Sequence, residues 1–388
     1  MLVGADGRIQ AIGADPVVPR PEYVPAVQYA DAALLPGLIN THTHLELTGF
    51  EGQIQEPEFP VWIRRLRQLK TTRTADQYMA AARRGLADCY AAGITTIADT
   101  GDSGSALRAL AEADGSGIAY QEVFGPDPSQ LDESLAGLQR RIVEQSSFAT
   151  TRVRVGVSPH APYSVSGPLF RAVAAWSRAE RLPLAVHVAE SSAEVQLLLA
   201  GSGPFAEAWR ERGIALPSPA GRSPVRWLAE HGVLSTLSLC IHAVQVTPDD
   251  IQSMADSGVA VAHCPVSNQV HGHGAAPLAA MLEAGIRVGI GTDSVVSVER
   301  LDLLAEARLA GSLVSLDADA LLRLCTLGGA QAIGIDAGTG SLSVGKWADC
   351  TVIRLGQIGG TPAQRVLASS PEDVLLTCVA GKEVYRAP

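Results

Sequence analysis

Residues 34–44 read LLPGLINTHTH, an apolar run that ends in two histidines separated by one residue. Such a run is typical of a buried β-strand, on which side chains two residues apart point to the same face. His42 and His44 therefore present two imidazoles to one point at the carboxyl end of the strand. Neutral imidazoles suit a borderline-soft divalent cation such as zinc. A histidine pair of this kind also arises by chance, so the rest of the chain must decide its meaning.

Beyond this strand, short β-branched segments alternate with Ala-, Leu- and Arg-rich stretches of helical period. The predicted strands are Leu34–His44, Ile94–Thr100, Ile118–Gly125, Arg152–Ser158, Pro183–Glu190, Leu237–Val246, Val259–Pro265 and Arg287–Asp293. Predicted helices between them include Ala75–Ala92, Gln130–Gln145, Gly167–Glu180, Pro248–Ser257 and Ala275–Ala284. Eight strands that alternate with helices imply parallel βαβ units, and eight such units can close on themselves. We therefore predict an α/β fold, a (β/α)8 TIM barrel.

The two ends of the chain do not follow this pattern. Asp6-Gly7 is a hairpin signal between strand-like residues, and Thr351–Leu355 and Val374–Val379 are strand-like segments near the other terminus. We expect both ends to form one small β-sandwich domain. The predicted boundaries are 1–33 and 336–388 for this domain and 34–335 for the barrel. The chain starts at Met1 inside a strand-like segment, so a missing upstream strand or a misassigned start codon is an open alternative.

Composition narrows the class of protein. The 388 residues suffice for one barrel and a smaller domain. The net charge of -10 repels phosphate backbones, so we expect no nucleic-acid partner. The 6 cysteines form no CxxC pair, which argues against a thiolate zinc cluster and fits a reducing compartment. We see no signal peptide and no apolar run near the roughly 18–20 residues of a membrane-spanning helix. These features predict a cytoplasmic protein without membrane association.

Three further predicted strands carry ionisable side chains at their ends. The fifth contains His187 and Glu190, the sixth His242, and the eighth ends at Asp293. A plain core strand would keep apolar residues there or simply turn. In barrels of this kind the carboxyl ends of the strands carry the active site. The set therefore predicts an active site at this end of the barrel.

These strand ends lie within longer motifs that occur in one order along nearly the whole chain. The motifs are LPGLINTHTH (35–44), SPHAPYS (158–164), HVAE (187–190), CPVSN (264–268), GTDS (291–294) and GSLSVGKWAD (340–349). Together they resemble the amidohydrolase superfamily, in the branch of cytosine, guanine and S-adenosylhomocysteine deaminases and chlorohydrolases. Since the last motif belongs to the small β domain in that superfamily, the resemblance also implies the two-domain fold.

The resemblance implies a ligand set for a single metal ion, with water completing the site: His42, His44, His187 and Asp293. It also implies that His242 contacts that water and that Glu190 lies beside the leaving group. Two-metal members need a lysine on the fourth strand, whereas this strand ends in Ser158-Pro159-His160. We therefore expect one divalent metal per chain, Zn²⁺ first, with Fe²⁺ and Mn²⁺ as alternatives.

A mechanism of deamination follows from this resemblance. The metal would lower the pKa of its bound water from 15.7 towards about 7, and Asp293 would accept the water's proton. The metal-held hydroxide would then attack a ring carbon that bears an amino group. Glu190, protonated, would donate to the neighbouring ring nitrogen, while His242 would hold the developing oxyanion. Ammonia would leave.

Contacts to the substrate are expected from five further residues. His160 would face the sugar end of a nucleoside, with a structural turn as the alternative. Glu122 would reach the pocket or would be a salt-bridged rim carboxylate. Trp62, in a predicted helical lid over residues 59–67, would stack on a flat ring or simply pack on the barrel. Ser267 and Asn268 would lie near the site.

A second histidine pair, His271 and His273, repeats the HxH spacing. The glycines around it predict a loop, which disfavours a second metal site.

A long insertion after the fifth strand, 197–228 with its Pro-rich stretch, points to a sub-family. Together with His44-Leu45-Glu46 and 246–250 it resembles the aminofutalosine deaminases of menaquinone biosynthesis, which act on a 6-aminopurine nucleoside-like compound. Deaminases of S-adenosylhomocysteine, adenosine or other N-heterocycles and chlorohydrolases stay open as alternatives. So do a cyclic amide hydrolase and a non-catalytic metal-binding relative. The expected partner is a small-molecule substrate, and a homodimer is a further expectation.

Overall fold

The computed structural model describes residues 1–15, 17–216, 221–357 and 359–388. The described strands are β1 (Leu2–Val3), β2 (Ile9–Ala11), β3 (Ala32–Pro36), β4 (Leu38–Thr43), β5 (Ile94–Gly101), β6 (Gly117–Val123), β7 (Val153–Pro159), β8 (Leu184–Val188), β9 (Ser238–His242), β10 (Ala260–His263), β11 (Arg287–Ile290), β12 (Cys350–Arg354), β13 (Val374–Val379) and β14 (Lys382–Arg386). The described α-helices are α1 (Phe59–Lys70), α2 (Ala75–Ala91), α3 (Ser105–Glu112), α4 (Leu131–Ser146), α5 (Gly167–Glu180), α6 (Ser192–Ala200), α7 (Gly203–Glu211), α8 (Pro224–Glu230), α9 (Pro248–Asp256), α10 (Pro265–Val270), α11 (Leu278–Glu283), α12 (Val295–Val298), α13 (Leu303–Leu313), α14 (Ala318–Leu324), α15 (Leu327–Ala332) and α16 (Pro362–Leu367).

Strands β4 to β11 form one parallel sheet in chain order. The two edges of this sheet meet, because the N–H groups of Thr292 and Asp293 each donate a 3.0 Å hydrogen bond to the carbonyl of His42. Thr43 and Asp293 also form a parallel bridge. The predicted (β/α)8 barrel is confirmed, and its closure brings the ends of the first and last barrel strands together.

The layer beneath the polar strand ends is apolar. Ala185 lies two residues before His187 on β8 and therefore shares its face. It belongs to a buried cluster that also contains Ile118 of β6 and Ala262 of β10. The functional side chains thus rest on a packed core.

Local signals set the ends of several helices. Thr247 caps α9 by accepting a hydrogen bond from the N–H of Asp250, and Pro248 opens the helix. Gly93, Gly258 and Gly285 have φ values of 78°, 67° and 77°, in the left-handed region that ends a helix without a Cβ clash.

The termini form two antiparallel sheets, one of β1 and β2 and one in the order β14-β13-β12-β3. Since β3 comes from the N-terminal segment and pairs with β12, the small β domain is assembled from both ends of the chain, as predicted. The domain boundaries at 1–33, 34–335 and 336–388 stay predictions.

The prediction of one continuous strand over Leu34–His44 is wrong. Ala32–Pro36 pairs with β12 in the small sheet, whereas Leu38–Thr43 opens the barrel. Gly37 lies at the crossing, where a Cβ would come within 2.1 Å of the Thr95 side chain. The apolar run thus contributes one strand to each of two sheets. Only glycine can lie between these strands, because a Cβ at this position would clash with Thr95.

The insertion after β8 folds as α6, α7 and α8, while residues 217–220 of its Pro-rich stretch lie outside the described residues. Among the described helices, none combines the length and the apolar character needed to cross a bilayer.

Candidate active site

The four predicted metal ligands converge at the carboxyl end of the barrel. Ligand atoms of His42, His44 and His187 lie within 4.8 Å of one another. Asp293 Oδ1 lies 3.6 Å from His42 Nε2 and 3.5 Å from His44 Nε2. Because zinc–nitrogen bonds are about 2.0–2.1 Å long, two ligands of one ion lie at most about 4 Å apart. With small adjustments, a cluster of this size can enclose one cation.

The protonation states of these histidines fit a cation. Burial lowers the pKa of His42, lowers that of His44 to about 4, and lowers that of His187 well below its ordinary value. Neutral imidazole is the form that binds metals. Both ring nitrogens of His42 are buried and have no hydrogen-bond partner among the described residues. Since buried polar atoms normally have a partner, a divalent cation suits this donor set.

Neighbouring groups fix the orientation of the ligands. His187 Nδ1–H donates to the carbonyl of His160 at 3.2 Å, which leaves Nε2 for a metal. The Ser267 hydroxyl donates to Asp293 Oδ2 at 2.5 Å, and the Ser294 N–H donates to Oδ1 at 2.7 Å. Ser267 therefore orients a predicted ligand, which differs from the expectation that it contacts substrate.

His242, at the end of β9, is held by Asn268. Its Nδ1–H donates to Asn268 Oδ1 at 2.9 Å, since an amide oxygen can only accept. A neutral His242 ring therefore carries its lone pair on Nε2, so that it can hold an oxyanion only after it has gained a second proton. Asn268 lies behind the imidazole and fixes its tautomer, which again differs from the expected substrate contact.

Glu190 is 3 % exposed and is surrounded by hydrogen-bonding groups. Its Oε1 lies 3.6 Å from His242 Nε2 and 3.5 Å from His273 Nε2, and the Tyr163 hydroxyl donates to Oε2 at 3.5 Å. Burial raises the pKa of Glu190, but the electrostatic interaction with His242 and the contact with His273 outweigh it and bring the pKa down to about 2. This shift favours the ionised form of Glu190, whereas the sequence analysis expected a protonated carboxyl group.

The backbone around these residues is strained. Ala189, His242 and Asp293 have φ values of 51°, 70° and 60°, a region that residues with a Cβ adopt at a cost of roughly 1–3 kcal/mol each. Glu194 supports the first of these turns, because its two oxygens accept the N–H groups of Ala189 at 2.8 Å and of Glu190 at 3.1 Å. The strain therefore lies at the residues that direct functional side chains.

His160 and Glu122 form a further pair of polar side chains next to His187. The His160 ring is 4.8 Å from that of His187, and its Nε2 is 4.0 Å from Glu122 Oε1. Glu122 is buried, Oε1 has no hydrogen-bond partner among the described residues, and burial raises its pKa well above the usual range. Because Glu122 is buried, the alternative that places it at the rim is wrong. Glu122, His160 and His187 form a second group whose ligand atoms lie within 4.8 Å of one another.

The helix predicted over residues 59–67 is confirmed as α1, and its role as a lid stays a prediction. Trp62 is only 6 % exposed, with its ring 6.0 Å from that of Phe59 and 4.6 Å from that of His271. The structure thus favours the packing alternative for Trp62.

The sequence assigned no role to Tyr163, Glu194 and His273. Tyr163 lies inside the SPHAPYS motif, and Glu194 follows Glu190 by four residues. The sequence therefore weakly indicated that each lies near the active site. His273 lies in a loop, as its glycine neighbours predicted, but the loop returns to the active site.

Fold and site together define the class, a barrel hydrolase that uses a metal. The sequence model of the amidohydrolase family matches residues 33–384 of this chain. The chain therefore belongs to this family. The aminodeoxyfutalosine deaminase of Deinococcus radiodurans is 34% identical over 328 residues, which are 80% of this chain and 75% of that protein. The 5-methylthioadenosine/S-adenosylhomocysteine deaminase of Nitratidesulfovibrio vulgaris is 30% identical over 404 residues, 99% of this chain and 87% of the relative. A zinc-bound adenosine deaminase from Xanthomonas campestris superposes with a TM-score of 0.79 at 25% identity, over 91% of this chain and 80% of that structure.

Proposed function

We propose that this protein is a metal-dependent deaminase of 6-aminopurine nucleosides, with aminodeoxyfutalosine as the first candidate substrate. One observation carries the proposal: the Glu190 carboxylate lies 3.6 Å from His242, directly beside the cluster of three histidines and Asp293. An acid–base pair beside a metal suits hydrolysis at a ring carbon that is flanked by a basic nitrogen. The two relatives above, named as deaminases of adenosine-like compounds, support the same chemistry.

One divalent cation, most simply Zn²⁺, is assigned to a set of four side chains: His42, His44, His187 and Asp293. Their mutual distances and the neutral state of the histidines support this assignment. The zinc of the Xanthomonas structure favours zinc over Fe²⁺ or Mn²⁺. When bound, such a cation supplies a Lewis acid that makes water nucleophilic near neutral pH.

The protein groups then move protons. Asp293 accepts one proton of the attacking water. His242, when it carries a proton on Nε2, donates to the negative oxygen at the tetrahedral carbon. Glu190 starts ionised, takes up the other proton of that water and delivers it to the ring nitrogen beside the reacting carbon. Asp293 passes its proton to the amino group, which leaves as ammonia when the C–N bond breaks and the oxygen becomes a carbonyl.

His160 and Glu122 are assigned to the sugar end of the nucleoside. Glu122 is buried with an unpartnered oxygen, and burial raises its pKa, which favours the protonated form that can donate a hydrogen bond. A sugar hydroxyl both accepts and donates hydrogen bonds, which matches a neutral carboxyl group beside an imidazole. Ser267 and Asn268 act through Asp293 and His242.

The test is ammonia release by the purified, zinc-loaded protein. The panel contains aminodeoxyfutalosine, 5-methylthioadenosine, S-adenosylhomocysteine and adenosine, with cytosine, guanine, a triazine and a cyclic amide as outgroups. We expect release from the aminopurine nucleosides and a loss of about 100-fold or more in kcat for Glu190→Gln. If the protein holds about one zinc per chain and releases no ammonia from any aminopurine, the deaminase proposal is overturned. Ring opening of the cyclic amide would then identify the protein as a cyclic amide hydrolase.

A further inference from the structure

His273 lies in the loop between α10 and α11, and this loop is firmly held. The neighbouring Gly272 and Gly274 have φ values of 65° and 98°, a conformation that favours glycine. The His273 N–H donates to the carbonyl of Asn268 at 2.8 Å, and its carbonyl accepts from the Gln245 side chain. His273 is only 5 % exposed. The loop thus delivers a buried imidazole to the active site from a fixed backbone.

The imidazole of His273 faces Glu190. Its Nε2 lies at an ion-pair distance of 3.5 Å from Glu190 Oε1, is buried, and has no hydrogen-bond partner among the described residues. The same oxygen lies 3.6 Å from His242 Nε2, so Oε1 stands between two imidazole nitrogens. An Nε2–H on His273 would restrain this carboxylate from turning away from the reacting ring.

The His273 ring also contacts the first residue of helix α1. Phe59, the first residue of α1, approaches it edge-on with ring centroids 4.6 Å apart and an interplanar angle of 87°. His271 also contacts Phe59, at 5.3 Å between ring centroids, and stacks on His273 at 5.4 Å. It differs from His273 in its polar contact, because its Nε2 hydrogen-bonds Ser297 Oγ at 3.1 Å. The two histidines thus share the loop, whereas His273 is the one at ion-pair distance from Glu190.

We propose that His273 is a positioning residue for Glu190, which holds the carboxylate in its proton-transfer position through Nε2–H and links it to helix α1 through Phe59. This inference rests on the proposed deaminase function. It concerns the chemical step rather than substrate affinity, because the contact is made to a proton-transferring group. Contacts that orient a functional side chain without touching the substrate change rates by about 10- to 100-fold in comparable sites.

Two substitutions separate the polar contact from the packing contact. His273→Phe keeps a ring against Phe59 and removes Nε2–H, whereas His273→Gln keeps an N–H donor and removes the ring. We expect His273→Phe to lower kcat by about 10- to 100-fold with KM within about 3-fold of wild type, and His273→Gln to stay within about 5-fold in kcat. His271→Phe, the matched control, should stay near wild type.

The comparison uses zinc-loaded protein, with metal content and thermal midpoint measured for each variant. Wild-type kcat in His273→Phe, or a larger loss in His273→Gln than in His273→Phe, would overturn the proposal. Loss of zinc or of thermal stability in His273→Phe would also overturn it, because the ring would then support the fold. Absence of ammonia release from the wild-type protein would instead refute the deaminase function itself.

Discussion

Asp293 and His42 are joined twice: the Asp293 N–H donates a 3.0 Å hydrogen bond to the His42 carbonyl, and Asp293 Oδ1 lies 3.6 Å from His42 Nε2. The backbone contact closes the barrel between its first and last strands. The side-chain contact completes the candidate metal cluster. Closure of the barrel therefore also brings together residues about 250 positions apart in the chain, in one candidate metal cluster.

Ser267→Ala removes the hydroxyl that donates to Asp293 Oδ2 at 2.5 Å. We expect the affinity for zinc to fall about 10- to 100-fold, since groups that orient ligands have effects of this size. Competition with a chelator of known affinity measures the change. Ser147→Ala serves as control, because its hydroxyl donates to the Glu144 carbonyl at an exposed helix end, away from the site. Unchanged zinc affinity in Ser267→Ala would contradict the assigned role.

Asn268→Ala removes the acceptor that fixes the tautomer of His242. The imidazole can then present either nitrogen, so we expect kcat to fall by about 10- to 100-fold while zinc content is retained. Steady-state ammonia release gives the comparison. Substitution of the exposed neighbour Gln269 by alanine is the control and should leave kcat unchanged. A rise in KM alone would place Asn268 in contact with the substrate, as the sequence had suggested.

Much of this arrangement could be predicted from the sequence, because each strand end carries its own signal. Apolar runs that stop at His42, His187 and Asp293 identify both the strands and their functional ends. These patterns involve only neighbouring residues in the chain. They suffice to predict the site because parallel strands in a barrel direct their carboxyl ends to the same face.

The remainder depends on contacts that local patterns do not encode. Ser267 and Asn268 lie on the short helix α10, whose orientation decides that they contact protein groups. The charge of Glu190 depends on His242 and on His273, which reaches the site through a loop. The split of the first apolar run at Gly37 depends on how closely Thr95 approaches it. Each of these follows from three-dimensional proximity alone.

Acid should destabilise the metal-free protein through His44. Its pKa is lowered from 6.5 to about 4, mainly by burial. Between these values the unfolded chain binds a proton that the folded chain does not, so stability is lost as the pH falls through this window. Relative to His44→Asn, the wild type should lose up to roughly 3 kcal/mol between pH 6.5 and pH 4, at about 1.4 kcal/mol per pH unit. Denaturant unfolding with chelator present measures it, and parallel pH profiles of the two proteins would contradict the expectation.

Gly117→Ala tests the packing of the barrel. Gly117 has φ 153°, and a Cβ there would lie 1.9 Å from the carbonyl oxygen of Ile97 on the neighbouring strand. Because backbone must shift to relieve this clash, we expect a loss of about 3 kcal/mol or more in the free energy of unfolding. Gly356→Ala, where the Cβ meets nothing within 4 Å, is the matched control and should change stability by less than about 0.5 kcal/mol. Equal stability of the two variants would refute the strand register.

The central claim is that one metal, held by His42, His44, His187 and Asp293, supports deamination. Its most direct test is to strip the protein with a chelator, add back zinc in steps, and record ammonia release from the best aminopurine nucleoside of the panel. The account predicts no release without metal, a linear rise, and a plateau at one zinc per chain, with no rise in Asp293→Asn. A plateau only at two zinc ions per chain would contradict it and would implicate the second group formed by Glu122, His160 and His187. Full activity in the stripped protein would refute the metal centre altogether.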